Sequence, residues 1–91
     1  YAEISDFIGV KGKTVEESVA NLIGAIQELL KKVQIPLTLK AAGLDEANFA
    51  ALIPEMSDIA FNDQCTGSNP RLPLVAEISA LFSQAYYGKL K

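Results

Sequence analysis

The chain contains no histidine and only one cysteine, Cys65, among its 91 residues. Without histidine, no Ser-His-Asp or Cys-His arrangement can be assembled within it. A histidine-ligated metal site is excluded for the same reason, and a lone cysteine cannot supply a cysteine-rich zinc site. Nor can it close an internal disulfide, which fits a reducing, cytosolic setting. The chain has neither a GxGxxG nor a GxxxxGK[ST] run, and no spacing of carboxylates points to an acid/base pair. No apolar stretch approaches the length needed to cross a membrane, and no signal peptide is visible. The first residue is Tyr1 rather than Met, so the chain is expected to be a fragment or a processed product.

What is present is an ordinary globular balance, with 49% apolar residues and 8 basic against 11 acidic side chains. A chain of this length makes one domain at most and buries a modest core. The net charge of −3 argues against a nucleic-acid surface. The lysines are also dispersed, apart from Lys11/Lys13, Lys31/Lys32 and Lys89/Lys91.

The periodicity is helical throughout, and no segment alternates with period two. Ile4, Phe7 and Ile8 read as the tail of a helix stopped by Gly9. Thr14 and Glu17 have the spacing of a capping box. Val15, Val19, Leu22, Ile23, Ile26, Leu29, Leu30 and Val33 then form one apolar stripe, ending near Val33 or Gln34 before Pro36. Core burial is the favoured fate of that stripe. Gly24 within it hints at close packing. Thr38 is placed to cap a very short helix over 39–42, closed by Gly43, and Asp45 to cap the next. Pro54 then splits the following apolar run into helices over 46–52 and 54–63. Pro73 is read as the start of the last helix and Gly88 as its stop. Within that helix, Tyr86 and Tyr87 are expected to pack one ring and leave the hydroxyl wet. The sum is an all-α small helical bundle of about five helices, two of them very short.

The stretch 58–71, DIAFNDQCTGSNPR, stands apart. Gly67, Ser68, Asn69 and Pro70 are turn residues, and Arg71 carries a rigid five-donor fork. Composition favours a structural connector over a ligand-binding loop.

The residues Ala60 to Arg71, AFNDQCTGSNPR, resemble the C-terminal signature of the iron-dependent alcohol dehydrogenases. In that family an Ala-rich helix leads into D-x-C-T-x-x-N-P-R and then a final helix with an early glutamate. Asp63, Cys65, Thr66, Asn69, Pro70, Arg71 and Glu77 all fall in place. Ile35-Pro36, the run LKAAGL at 39–44, and Asp45-Glu46 resemble an upstream segment of the same family. The sequence NDQCTG and the ending Tyr86-Tyr87-Gly88 are similar to the bifunctional aldehyde-alcohol dehydrogenases.

The resemblance covers essentially all of residues 1–91 and makes them part of the C-terminal helical metal domain of a larger dehydrogenase. It implies an intact enzyme with Fe²⁺ held by one aspartate and three histidines, and NAD on a separate α/β domain. All of these groups would lie upstream of Tyr1, so this chain is expected to contribute no catalytic, metal or cofactor-binding residue. The metal would polarise an aldehyde oxygen while NADH delivers hydride, reducing a short aldehyde such as acetaldehyde in the cytoplasm. The chain alone is expected to be inactive and to bind neither Fe²⁺ nor NAD. Its partners would be the rest of the dehydrogenase chain and further copies in a homo-oligomer, with no nucleic acid and no membrane. By resemblance Cys65 lines the substrate cavity, whereas Asn69 and Arg71 are read as a brace of their loop. The alternative is an autonomous helical protein-interaction module without catalysis, suggested by the length of the apolar stripe.

Overall fold

The computed structural model describes residues 1–88; Lys89 and Lys91 lie outside them. Among the described residues four α-helices, α1 (Ala2–Phe7), α2 (Val15–Lys32), α3 (Glu46–Asn62) and α4 (Val75–Tyr87), are joined by turns, with one 3₁₀ turn at Thr66–Ser68. There is no strand among the described residues. No helix among them is long and apolar enough to cross a membrane. The chain divides into two compact units, Tyr1–Leu37 and Thr38–Lys91.

In the first unit α1 packs on α2. Ser5 and Ser18 are buried where small side chains let two helices come close. α1 ends in a Schellman motif. Gly9 is left-handed at φ 84°, and the Val10 and Gly9 amides donate to Ser5 O and Asp6 O at 2.9 and 3.1 Å. The following loop is tied back to α2 by the Gly12 amide on Ser18 Oγ and by Asn21 Nδ2 on Val10 O, each at 2.9 Å. A Cβ at Gly12 would sit 2.5 Å from Glu17 Cγ, so only glycine fits that approach.

Thr14 Oγ1 accepts from the Glu17 amide at 3.1 Å, half of a capping box. The Glu17 carboxylate turns one residue further back and accepts from the Lys13 amide at 3.0 Å. At the other end Gln34 takes the left-handed conformation, φ 62°. The Ile35 and Gln34 amides reach Leu30 O and Lys31 O, so a second Schellman motif closes α2 without glycine.

The apolar stripe of α2 is not buried as the sequence pattern suggested. Leu22 is buried, but Ile23, Ile26, Leu29 and Val33 are exposed, Leu29 by 58%. The reason is dimensional: α1 has 6 residues and α2 has 18, so α1 cannot cover the face. Gly24 is a second correction, because a Cβ there would meet nothing within 4 Å.

In the second unit α3 and α4 pack along their lengths. Phe49 and Ser57 of α3 and Ile78 and Tyr86 of α4 are buried. Phe49 stacks on Tyr86 with centroids 5.2 Å apart, and Ser79 Oγ donates to Ser57 Oγ at 2.8 Å. Asp45 caps α3, its Oδ2 accepting from the Asn48 amide at 2.9 Å.

Pro54 does not split α3, which runs unbroken through it. Proline forfeits one backbone bond and crowds the preceding turn, a cost of about 3 kcal/mol. Burial of Phe49 before it and Ser57 after it, both against α4, offsets that cost. The short helix expected over 39–42 is a single hydrogen-bonded turn. Thr38 Oγ1 accepts from the Ala41 amide at 3.0 Å, and Gly43 closes the turn at φ 93°. Two of its amides are spent elsewhere. Leu39 and Lys40 donate to Ala85 O and Tyr86 O, satisfying carbonyls that the end of α4 leaves unpaired.

Candidate functional site

The loop after α3 is held almost entirely by its own hydrogen bonds. Asp63 leaves the helix with extended backbone, and its Oδ1 accepts from the Cys65 amide at 2.7 Å. Ser68 Oγ donates to Cys65 O at 2.7 Å, so the backbone of Cys65 is secured at both its donor and its acceptor. Thr66 Oγ1 reaches back to Ala60 O in the last turn of α3. These bonds shape the 3₁₀ turn at Thr66–Ser68, whose exit is marked by the Asn69 amide on Thr66 O at 3.2 Å.

Beyond it, Asn69 Nδ2 donates to Arg71 O, and Arg71 Nη2 donates to Glu77 Oε1. Glu77 is the third residue of α4, and its other oxygen accepts from the Leu74 amide at 2.8 Å. That bond, rather than Pro73, sets where the helix starts: α4 begins at Val75 with Leu74 as its cap. Leucine has no side-chain acceptor, so only the returning half of a capping box exists here. The Leu74 amide, and then the Arg71 guanidinium, hold the Glu77 carboxyl below the usual carboxylate range.

Cys65 carries a free, exposed thiol. It lines an open concavity of about 450 Å³ together with Thr66, Asn69 and Arg71 of the loop and Ile78 and Leu81 of α4. Cys65, Asn69 and Arg71, singled out from the sequence, therefore share one surface. The sequence does not single out Ile78 and Leu81, which complete it; Glu77 is not part of its lining and joins it only through its bond to Arg71. The facing of Ile78 and Leu81 depends on how α4 lies on α3 and has no local signal.

The tyrosines at the end of α4 also depart from expectation. Tyr86 Oη donates to Leu44 O at 2.9 Å, and Tyr87 Oη donates to Glu46, so neither hydroxyl is left to water alone. Burial, then the charges of Glu46 and Asp45, push the Tyr86 hydroxyl up from its ordinary value. The bond to Glu46, then burial, do the same for Tyr87.

The loop between α3 and α4 thus bears the run D-x-C-T-x-x-N-P-R, Asp63 to Arg71, between two helices that pack on each other. The family profile described as "Fe-containing alcohol dehydrogenase family, C-terminal" matches residues 1–86, and the chain belongs to that family. It is 44% identical over 86 residues to an aldehyde-alcohol dehydrogenase of Clostridium acetobutylicum, covering 94% of this chain and 10% of that protein. It is 37% identical over 91 residues to a bifunctional aldehyde-alcohol dehydrogenase of Escherichia coli K12, covering 98% of this chain and 10% of that protein. An NADPH-dependent butanol dehydrogenase of Clostridium saccharobutylicum is 44% identical over 88 residues, covering 97% of this chain and 23% of that protein. The chain thus spans about a tenth of the length of the first two relatives.

The residues of this chain do not fit the iron that the family name implies. The sequence has no histidine, and among the described residues no group of three or more His, Cys, Asp or Glu could hold a metal ion.

Proposed function

We propose that this chain is the C-terminal helical segment of an iron-dependent, NAD-dependent alcohol dehydrogenase that reduces a short aldehyde, acetaldehyde foremost, to its alcohol. The segment completes the helical domain and forms one wall of the substrate cleft, with Cys65 lining it and Asn69 and Arg71 bracing its loop. Metal ligands and nucleotide site come from the rest of the dehydrogenase chain. The enzyme is a cytoplasmic homo-oligomer.

The observation that carries this is the loop around Cys65, whose backbone is secured on both sides while its thiol stays exposed beside an apolar floor. A wall residue needs that combination of fixed backbone and open side chain. The exposed apolar face of α2 supports the same reading, since a segment cut from a larger domain leaves uncovered the face its neighbours would bury.

The test is Cys65→Trp in the full-length enzyme, assayed with acetaldehyde and butyraldehyde and with NADH and NADPH. The expected outcome is a raised KM, steeper for butyraldehyde, at unchanged metal content, with NADH preferred. Unchanged kinetics for the bulkier aldehyde overturn the wall role, and a preference for NADPH overturns the cofactor. The interaction-module alternative requires that the 91-residue chain alone unfold cooperatively as a monodisperse species. Aggregation on its own, read by light scattering during a melt, counts against it.

A further inference from the structure

One carboxylate, Glu77, holds two different pieces of the second unit. Its Oε2 accepts from the Leu74 amide at 2.8 Å at the start of α4, and its Oε1 accepts from Arg71 at the end of the Cys65 loop. From Arg71 a series of hydrogen bonds, joined through neighbouring residues of the chain, leads back to the thiol-bearing residue. Arg71 O is held by Asn69 Nδ2, the Asn69 amide by Thr66 O, and Cys65 O by Ser68. Pro70 immediately before Arg71 and Pro73 two residues after it each fix their own φ, which limits the freedom of this connection.

We propose that Glu77 is a positioning residue for the Cys65 loop, setting through Arg71 where Cys65 presents its side chain to the concavity. This rests on the proposed wall role only for its effect on catalysis. The positioning itself is a property of the loop.

Two features distinguish the arrangement from an ordinary surface ion pair. Arg71 is largely exposed, and such a pair by itself has a small effect. Here the same carboxylate also accepts from the Leu74 amide at the N-terminus of α4, where the helix dipole favours a negative charge. Moving Arg71 away therefore leaves Glu77 anchored, whereas neutralising Glu77 weakens both attachments.

The test uses the full-length enzyme and alkylation of Cys65 by iodoacetamide, followed by mass spectrometry of its peptide. Glu77→Gln keeps an oxygen for Leu74 but loses the charge, and Arg71→Ala leaves the start of α4 intact. Arg71→Lys restores a charge without the fork. Alkylation is expected to accelerate by about twofold to fivefold in Glu77→Gln and Arg71→Ala, with Arg71→Lys in between. KM for the aldehyde should rise by a similar factor while kcat holds. Alkylation at the wild-type rate in both Glu77→Gln and Arg71→Ala overturns the proposal. If alkylation accelerates while KM is unmoved, there and in Cys65→Trp alike, the positioning by Glu77 stands and the wall role of Cys65 falls.

Discussion

Tyr86 Oη donates to Leu44 O at 2.9 Å, joining the last turn of α4 to the approach of α3 across 42 residues of sequence. Phe49 stacks on the same ring, and Tyr87 meets it edge-on with centroids 4.9 Å apart. With the Leu39 and Lys40 amides on the final carbonyls, the end of α4 is fastened by both side chains and backbone.

Replacing Tyr86 by Phe keeps the stack and removes only the bond to Leu44. Local opening of the turn before α3 should become more frequent, with amide exchange in the peptide spanning 38–46 faster by about fivefold. Hydrogen–deuterium exchange of the full-length protein reads this. Exchange at the wild-type rate would show that the stack alone holds the helix end.

Phe49→Ala removes a buried ring from between α3 and Tyr86. The lost burial, the cavity and the lost stacking should together destabilise the protein by about 3 kcal/mol. The midpoint of urea denaturation checks it, and a cost below about 1 kcal/mol would mean that the helices close over the gap.

Pro54→Ala returns a backbone donor to α3 and relieves crowding against the preceding turn. Because the helix already runs through this position, stability should rise, by about 1 to 3 kcal/mol. A fall instead would show that a bend at Pro54 is needed to seat Phe49 and Ser57 together against α4.

The pH dependence has opposite signs at the two ends of α4. The Glu77 carboxyl is lowered, so its contribution is complete above the ordinary unfolded value of about 4.3 and is lost as pH falls through the lower folded value. The stability difference between wild type and Glu77→Gln should therefore be present at neutral pH and vanish in acid. Tyr87 is raised, so its contribution is complete below about 10 and is lost as pH climbs through the higher folded value. Wild type and Tyr87→Phe should converge in strong alkali. Denaturation midpoints followed across pH test both, and convergence at the wrong end would reverse the assignment.

Much of the fold was legible because helix signals are local. Thr14 and Asp45 cap where their side chains can reach an amide three residues on, and Gly9 and Gly88 stop helices where the chain turns left-handed. The failures share a cause. Pro54 looks like a break from the sequence because local propensity cannot see Phe49 and Ser57 pressed on α4. The α2 stripe has the pattern of a core face because periodicity reports which face is apolar, not what covers it. The tyrosine hydroxyls have no partner within reach of local sequence because Leu44 and Glu46 lie some forty residues away. In the candidate site, Cys65, Asn69 and Arg71 stood out in the sequence, whereas the second attachment of Glu77 did not.

By itself the sequence determined that the chain is helical, that it holds no histidine, and which loop carries the D-x-C-T-x-x-N-P-R run. Each follows from residue identity and short-range spacing, which need no partner in space. Tertiary structure alone decided that α3 survives its proline, that the end of α4 is closed by the turn near Thr38, and that one carboxylate holds both the start of α4 and the Cys65 loop. The first two depend on groups brought together across long stretches of chain, where packing and hydrogen bonding outweigh local preference; the third spans only six residues but needs the loop folded back onto the start of α4.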